Sequence, residues 1–284
     1  MKKSYIIVFF SGLLFLCTFL LISCQQQAQP PFAAISSLLP EDVPLEITLL
    51  SSREHHSIFI KTQNDLIMID SDLSRSQPNA YYFLKEYGIE TIDVLVLTHL
   101  TASTLNELDL LTQELSIDQV IIPPDAIPVA SLHAPNIRQS TSSLTQDDIF
   151  SFTLSLDEVT LNFHQNPDDS SLMVSLEYHD TNFLFAGHVE PVFLQDFLVS
   201  RYGRFEVVTW PQQGFDAQRL KHFNHPGSSH DIIACNSSLH LNEAFHEYMT
   251  ENSPQLFSTR QGSIHILMDG EQLVFTQQIH PLFR

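Results

Sequence analysis

The sequence predicts an α/β fold in which helices cover the faces of β-sheets. Two observations carry this. Short β-rich runs alternate with helix-like runs over most of the chain. These runs also fall into two β-rich halves with helices between their strands, the pattern of layered sheets. The length left after the N-terminal segment suits one large domain, and no internal repeat interrupts it.

The first 23 residues read as a secretory signal rather than as part of the fold. Lys2 and Lys3 open a basic start, an apolar stretch runs over 5–22, and Ser23-Cys24 follows. Residues 21–24, Leu-Ile-Ser-Cys, resemble the bacterial lipobox. That resemblance implies that Cys24 becomes the first mature residue and carries acyl chains such as palmitate. A single transmembrane anchor is the alternative, since the run is about long enough to span a bilayer. Residues 24–44 are a tether: 25–31 read QQQAQPP, with no apolar periodicity. The expected organisation is therefore signal 1–23, tether 24–44 and domain 45–284.

Within the domain, 45–50, 57–60 and 66–69 read as strands. Residues 81–87 read as a helix that Gly88 stops. A buried strand at 94–97 leads into a helix at 105–115, and 119–122 is a strand halted by Pro123-Pro124. In the second half, 152–156 with 159–163, and 172–178 with 182–186, read as hairpins. A helix is expected at 191–202, with Phe193, Phe197 and Leu198 on one side. Strands at 205–209 and 231–234 follow, then a helix at 241–249. Strands at 256–259, 263–268 and 272–275 close the chain.

Charge and cysteine usage narrow the function classes. Thirteen Lys and Arg stand against 33 Asp and Glu, a formal charge of −20. Such a chain repels phosphate backbones, and no basic run resembles a nucleic-acid patch. Of the three cysteines, Cys17 lies in the signal and Cys24 is the lipid site. Cys235 is left in an apolar run that reads as a buried strand, so the mature monomer forms no internal disulfide.

The order of elements resembles the metallo-β-lactamase superfamily, and within it the soluble hydrolase domain of ComEC-type DNA-uptake proteins. The residues that carry the resemblance span 45–275. Residues 57–60 and 66–70 resemble the opening hairpin ending in Ile-Asp, here Ile69-Asp70. Thr98-His99 stands where the family's T-H-x-D-x-D-H motif begins. Residues 171–174 and 183–187 resemble the hairpin that ends in T-G-D, and 207–214 the strand leading to G-H-H-G-S. The resemblance implies a four-layer αβ/βα sandwich with its site along one edge of the two sheets.

The same resemblance implies one or two divalent metals held by His and Asp, which generate a hydroxide nucleophile. Here His99 is kept, but Thr101 and Ser103 stand at the two Asp positions and Thr104 at the second His. His188 replaces the Asp of T-G-D, and Gln212 and Gln213 replace the paired His. Hydroxyls of Thr and Ser stay protonated and are poor zinc ligands. Glycine pairs of the family are also absent, at Ser71-Asp72 and Asn106-Glu107. Eight glycines in 284 residues is well below the usual share of about 7%.

These losses lead to an expectation of no catalytic residues, no bound cofactor and a pseudoenzyme. The alternative is a site rebuilt around one divalent metal such as zinc, with His99 and His188 as residual ligands and His55, His56, Asp70 and Asp72 on the same edge. The cluster from Lys221 to His230 reads as a surface loop, and no G-x-S-x-G elbow supports a serine hydrolase. Three functions remain: an exported lipoprotein that binds an envelope protein or ligand, an altered phosphodiesterase or nuclease, or an accessory of DNA uptake. The expected location is a bacterial membrane surface, periplasmic or on the outer membrane, held through lipidated Cys24.

Overall fold

A computed structural model describes residues 43–50, 57–71, 79–123, 151–156, 158–169, 171–201, 204–211, 220–234, 242–269 and 272–279. All of them lie in the compact unit Pro40–Arg284. The expected signal, the lipid site at Cys24 and the tether up to residue 42 lie outside the described residues. Among the described residues, no helix is long and apolar enough to cross a membrane.

Two seven-stranded mixed sheets form the body of the fold. The first begins as a meander of β1 (Leu45–Leu49), β2 (Ile58–Thr62) and β3 (Leu66–Ile69). Helix α1 (Asn79–Glu86) then leads to β4 (Thr91–Val96), and α2 (Ala102–Glu114) to β5 (Ser116–Ile121). β3, β4 and β5 are parallel, because each helix returns the chain to the same end of the sheet. The C-terminal strands β13 (Gly262–Asp269) and β14 (Gln272–Ile279) complete this sheet, β13 pairing with β1.

The second sheet starts with β6 (Ser151–Ser155), β7 (Thr160–Gln165), β8 (Leu172–Tyr178) and β9 (Thr181–Phe185), all antiparallel. Helix α3 (Pro191–Val199) connects to β10 (Val207–Pro211), which runs parallel to β9. β11 (His230–Ala234), α4 (Glu243–Asn252) and β12 (Leu256–Ser258) extend the parallel part.

Period-two alternation sorts side chains between the layers. Leu45, Ile47 and Leu49 of β1 meet Leu161, Phe163, Val174 and Phe185 of the second sheet in the central core. The alternate residues of that sheet, such as Met173, Leu184, Val208 and Trp210, pack instead on Leu194 and Phe197 of α3 and Phe245 and Met249 of α4. On the other outer face, Phe59 stacks on Phe83 of α1 at 4.5 Å. The result is the four-layer αβ/βα sandwich that the resemblance implies.

Several boundaries move for local reasons. α2 begins three residues before the expected 105, because Thr101 caps it. α3 stops at Val199, short of the expected 202, with Ser200 as its cap. Gly88 ends the α1 segment at φ +61°, a conformation that costs glycine little.

Candidate metal centre

The end of β3 fixes the first element of the site. Asp70 follows Ile69 in a left-handed conformation, φ 53°, one of the few a short carboxylate side chain tolerates. Its backbone N–H donates to Val96 at 2.8 Å, which ties the turn to the end of β4. Its carboxylate turns toward Thr98, whose N–H donates to Oδ1 and whose hydroxyl donates to Oδ2, both at 2.7 Å.

Thr98 also joins the two sheets. It is fully buried, and its carbonyl accepts from the Leu172 N–H at 2.7 Å, at the start of β8. Gly187 completes the junction at φ +58°. A Cβ there would lie 3.0 Å from Leu172 O and from both Cβ and Oγ1 of Thr98. Any other residue would be strained at this φ and crowd its neighbours, and the turn that glycine makes delivers His188.

His188 then meets His99, the residue after Thr98, with ring centroids 3.6 Å apart and planes at 41°. One ligand atom from each of Asp70, His99 and His188 lies within 4.8 Å of the others. Donors around a tetrahedral zinc are about 3.3 Å apart, given bonds of about 2.0–2.1 Å. The three donors therefore stand at most about 1.5 Å further apart than in such a site. A carboxylate oxygen and two imidazole nitrogens are the right chemistry for one divalent ion with a fourth position open to water or ligand. This geometry favours the single-metal alternative over the expectation that no metal binds.

The positions where the resemblance implies further ligands behave differently. Thr101 is the N-cap of α2, and its hydroxyl accepts from the Thr104 N–H at 3.2 Å. The Thr104 hydroxyl accepts from the Thr101 N–H at 2.6 Å and donates to the Thr101 carbonyl at 2.9 Å. Both hydroxyls are thus engaged in starting the helix, which satisfies amides that otherwise lack intrahelical partners. Ser103 lies within α2, with its side chain outside the described residues. Gln212, Gln213, His55, His56 and Asp72 also lie outside them.

Sequence reasoning missed one buried contact beside the site. Ser71 donates its hydroxyl to Glu107 of α2 at 2.8 Å, with both residues buried. No local pattern announces a pair 36 residues apart.

The segment from Lys221 to His230 is a loop, as expected, with Lys221, His222, Asn224, Gly227 and Ser229 exposed, but part of it turns inward. Fully buried Asp231 accepts from Trp210 Nε1 at 2.7 Å, from the Ser228 hydroxyl at 2.7 Å and from His225 Nε2 at 2.6 Å. Phe223 and Ser228 are buried as well. A buried carboxylate requires such donors, which accounts for the inward part of the loop. Ser228 donates to Asp231 rather than to His225, so the group is not a nucleophile relay.

No protein-family profile matches the sequence, and no curated protein does. Solved structures resemble the fold. A candidate metal-dependent hydrolase from Parabacteroides distasonis superposes with a TM-score of 0.52 at 10% identity, over 75% of this chain and 93% of that one. A candidate zinc-dependent hydrolase of the metallo-β-lactamase superfamily from Thermotoga maritima gives 0.41 at 10% identity, over 75% and 98%. A diphosphatase of the PhnP family gives 0.49 at 10% identity, over 78% and 98%. At such identities the likeness concerns the fold alone, an α/β sandwich of two sheets like that of the metal-dependent hydrolase superposing at 0.52.

Proposed function

We propose that this chain is an exported, lipid-anchored protein that uses a metallo-β-lactamase-like fold as a binding scaffold. In this reading it holds one divalent cation at Asp70, His99 and His188 and does not carry out two-metal hydrolysis. The observation that supports it most is the mutual bonding of Thr101 and Thr104. Two positions where the resemblance expects an Asp and a His serve helix α2 instead, which leaves three donors among the described residues where a dinuclear centre needs more. A cation held by three protein ligands keeps an open coordination position. An anionic group of an envelope partner or small ligand would occupy it. The lipid on Cys24 would keep the domain at a membrane surface.

A second reading keeps catalysis. The three donors of Asp70, His99 and His188 match the ligand count of a catalytic mononuclear zinc site, and a single ion of that kind supplies an activated water. One experiment separates the two. The purified full-length protein in detergent is loaded with zinc or manganese and assayed on a generic phosphodiester. The scaffold reading expects metal retention with turnover no greater than that of His99→Ala. Metal-dependent turnover that His99→Ala abolishes would replace it with the hydrolase reading.

A further inference from the structure

The turn that carries Asp70 is fastened from two sides. On one, Thr98 grips the carboxylate with its N–H and its hydroxyl. On the other, the next residue, Ser71, bonds to the Glu107 carboxylate at 2.8 Å. Asp70 is 6% exposed, Ser71 2% and Glu107 4%. A left-handed non-glycine residue costs of order 1–3 kcal/mol and persists only where its surroundings over-determine it. Ser71 supplies part of that constraint, because its anchor on α2 limits how the backbone after Asp70 can turn.

Glu107 sits one turn after Thr104 on α2. The capping interaction of Thr101 and Thr104 sets where the helix begins and so where Glu107 falls. His99 lies two residues before that cap. The same short segment therefore carries one imidazole of the cluster and the anchor of the turn that carries its carboxylate.

We propose that Glu107 is a positioning residue for the Asp70–His99–His188 cluster. Acting through Ser71, it holds the Asp70 turn so that the carboxylate stays within reach of the two imidazoles. This rests on the reading that the cluster binds a divalent cation. It extends that reading from the three donors to a buried residue that donates nothing to the ion.

The test uses full-length protein in detergent, wild type and the variants Ser71→Ala, Glu107→Gln and Glu107→Ala. Ser71→Ala removes the bond with the least change of volume, should Glu107→Ala fail to fold. Zinc affinity is measured by competition with a chelating dye, well below each variant's Tm. Amide exchange at residues 70 and 71 is measured without metal. The proposal expects zinc affinity about tenfold weaker in Ser71→Ala and Glu107→Ala, the scale seen for outer partners of metal ligands. It expects Glu107→Gln to stay near wild type, since its amide oxygen still accepts from Ser71, and it expects faster exchange at 70 and 71 in the two disrupted variants. Unchanged zinc affinity in Ser71→Ala, despite a lower Tm, would reduce Glu107 to a stabilising contact and overturn the proposal. If wild type binds no zinc, the cation reading fails on its own. Exchange at 70 and 71 then decides whether Glu107 sets the turn: faster exchange in Ser71→Ala upholds that role, and unchanged exchange ends it.

Discussion

Thr98 connects the most structure through the fewest atoms. It closes the Asp70 carboxylate, accepts from Leu172 of the second sheet and packs against Gly187. Thr98→Val keeps the N–H bond and removes the hydroxyl donor to a buried carboxylate. Urea unfolding should show a loss of about 1.5–3 kcal/mol, the range for a hydrogen bond to a charged group. Gly187→Ala meets both a positive φ and contacts at 3.0 Å. It should cost roughly 1–3 kcal/mol and weaken zinc binding as well, because the turn bearing His188 shifts. Thr101→Ala separates capping from ligation. The capping role predicts a loss of about 1 kcal/mol, with zinc still bound and its affinity lowered no further than in Ser71→Ala. The sequence marks His99 and His188 through their motif positions. It does not mark the cap, because Thr104 stands where a capping box usually has Glu or Gln, so Thr101-x-x-Thr104 looks only like a broken metal motif.

The elements follow from local pattern where one face is apolar. β1 alternates apolar and polar residues, β2 and β3 are short apolar runs with polar flanks, and the hairpin of β8 and β9 shows its turn at His179-Asp180. Their existence and order are legible without coordinates. Helix ends are less so, because they depend on side-chain caps and on tertiary contacts that hydrophobic periodicity does not report. The connection before β11 is the clearest case. Its polar residues suggest a solvated loop, yet Asp231 draws His225 and Ser228 inward against Trp210. Asp231→Ala leaves the buried Trp210 N–H and Ser228 hydroxyl without an acceptor, at about 1–3 kcal/mol each. Thermal unfolding should register the loss as a large drop in Tm. Zinc binding at Asp70, His99 and His188 should survive in whatever fraction remains folded.

At the scale of the whole molecule, acid is the sensitive direction. Burial, with some help from nearby Arg201, pushes the His164 imidazole down to about 4, and burial pushes His265 down to about 4. His164 contacts Ser175, and His265 contacts Thr48, so both are held within their sheets. Both are neutral in the folded state at pH values where the unfolded chain already binds protons. Their contribution is intact above a pH of about 6.5 and falls away as the pH drops toward about 4, by at most roughly 3 kcal/mol each. Glu46, raised by burial, acts in the opposite sense over the carboxylate range. Denaturant titrations across this window should show stability declining with acid, and His164→Gln should flatten part of the slope. Local pattern shows α/β layers, whereas the four-layer sandwich follows only from the resemblance in element order. The joining of two distant strand ends at Thr98 was legible only through resemblance, since Asp70, His99 and His188 come from three separated segments.

The proposed function turns on a single cation held by Asp70, His99 and His188. Calorimetric titration of zinc into the metal-free full-length protein tests it most directly. The account predicts a single class of site with roughly one ion per chain, lost in both His99→Ala and His188→Ala and retained in Thr101→Ala. Two ions per chain, or no binding at all, would contradict it.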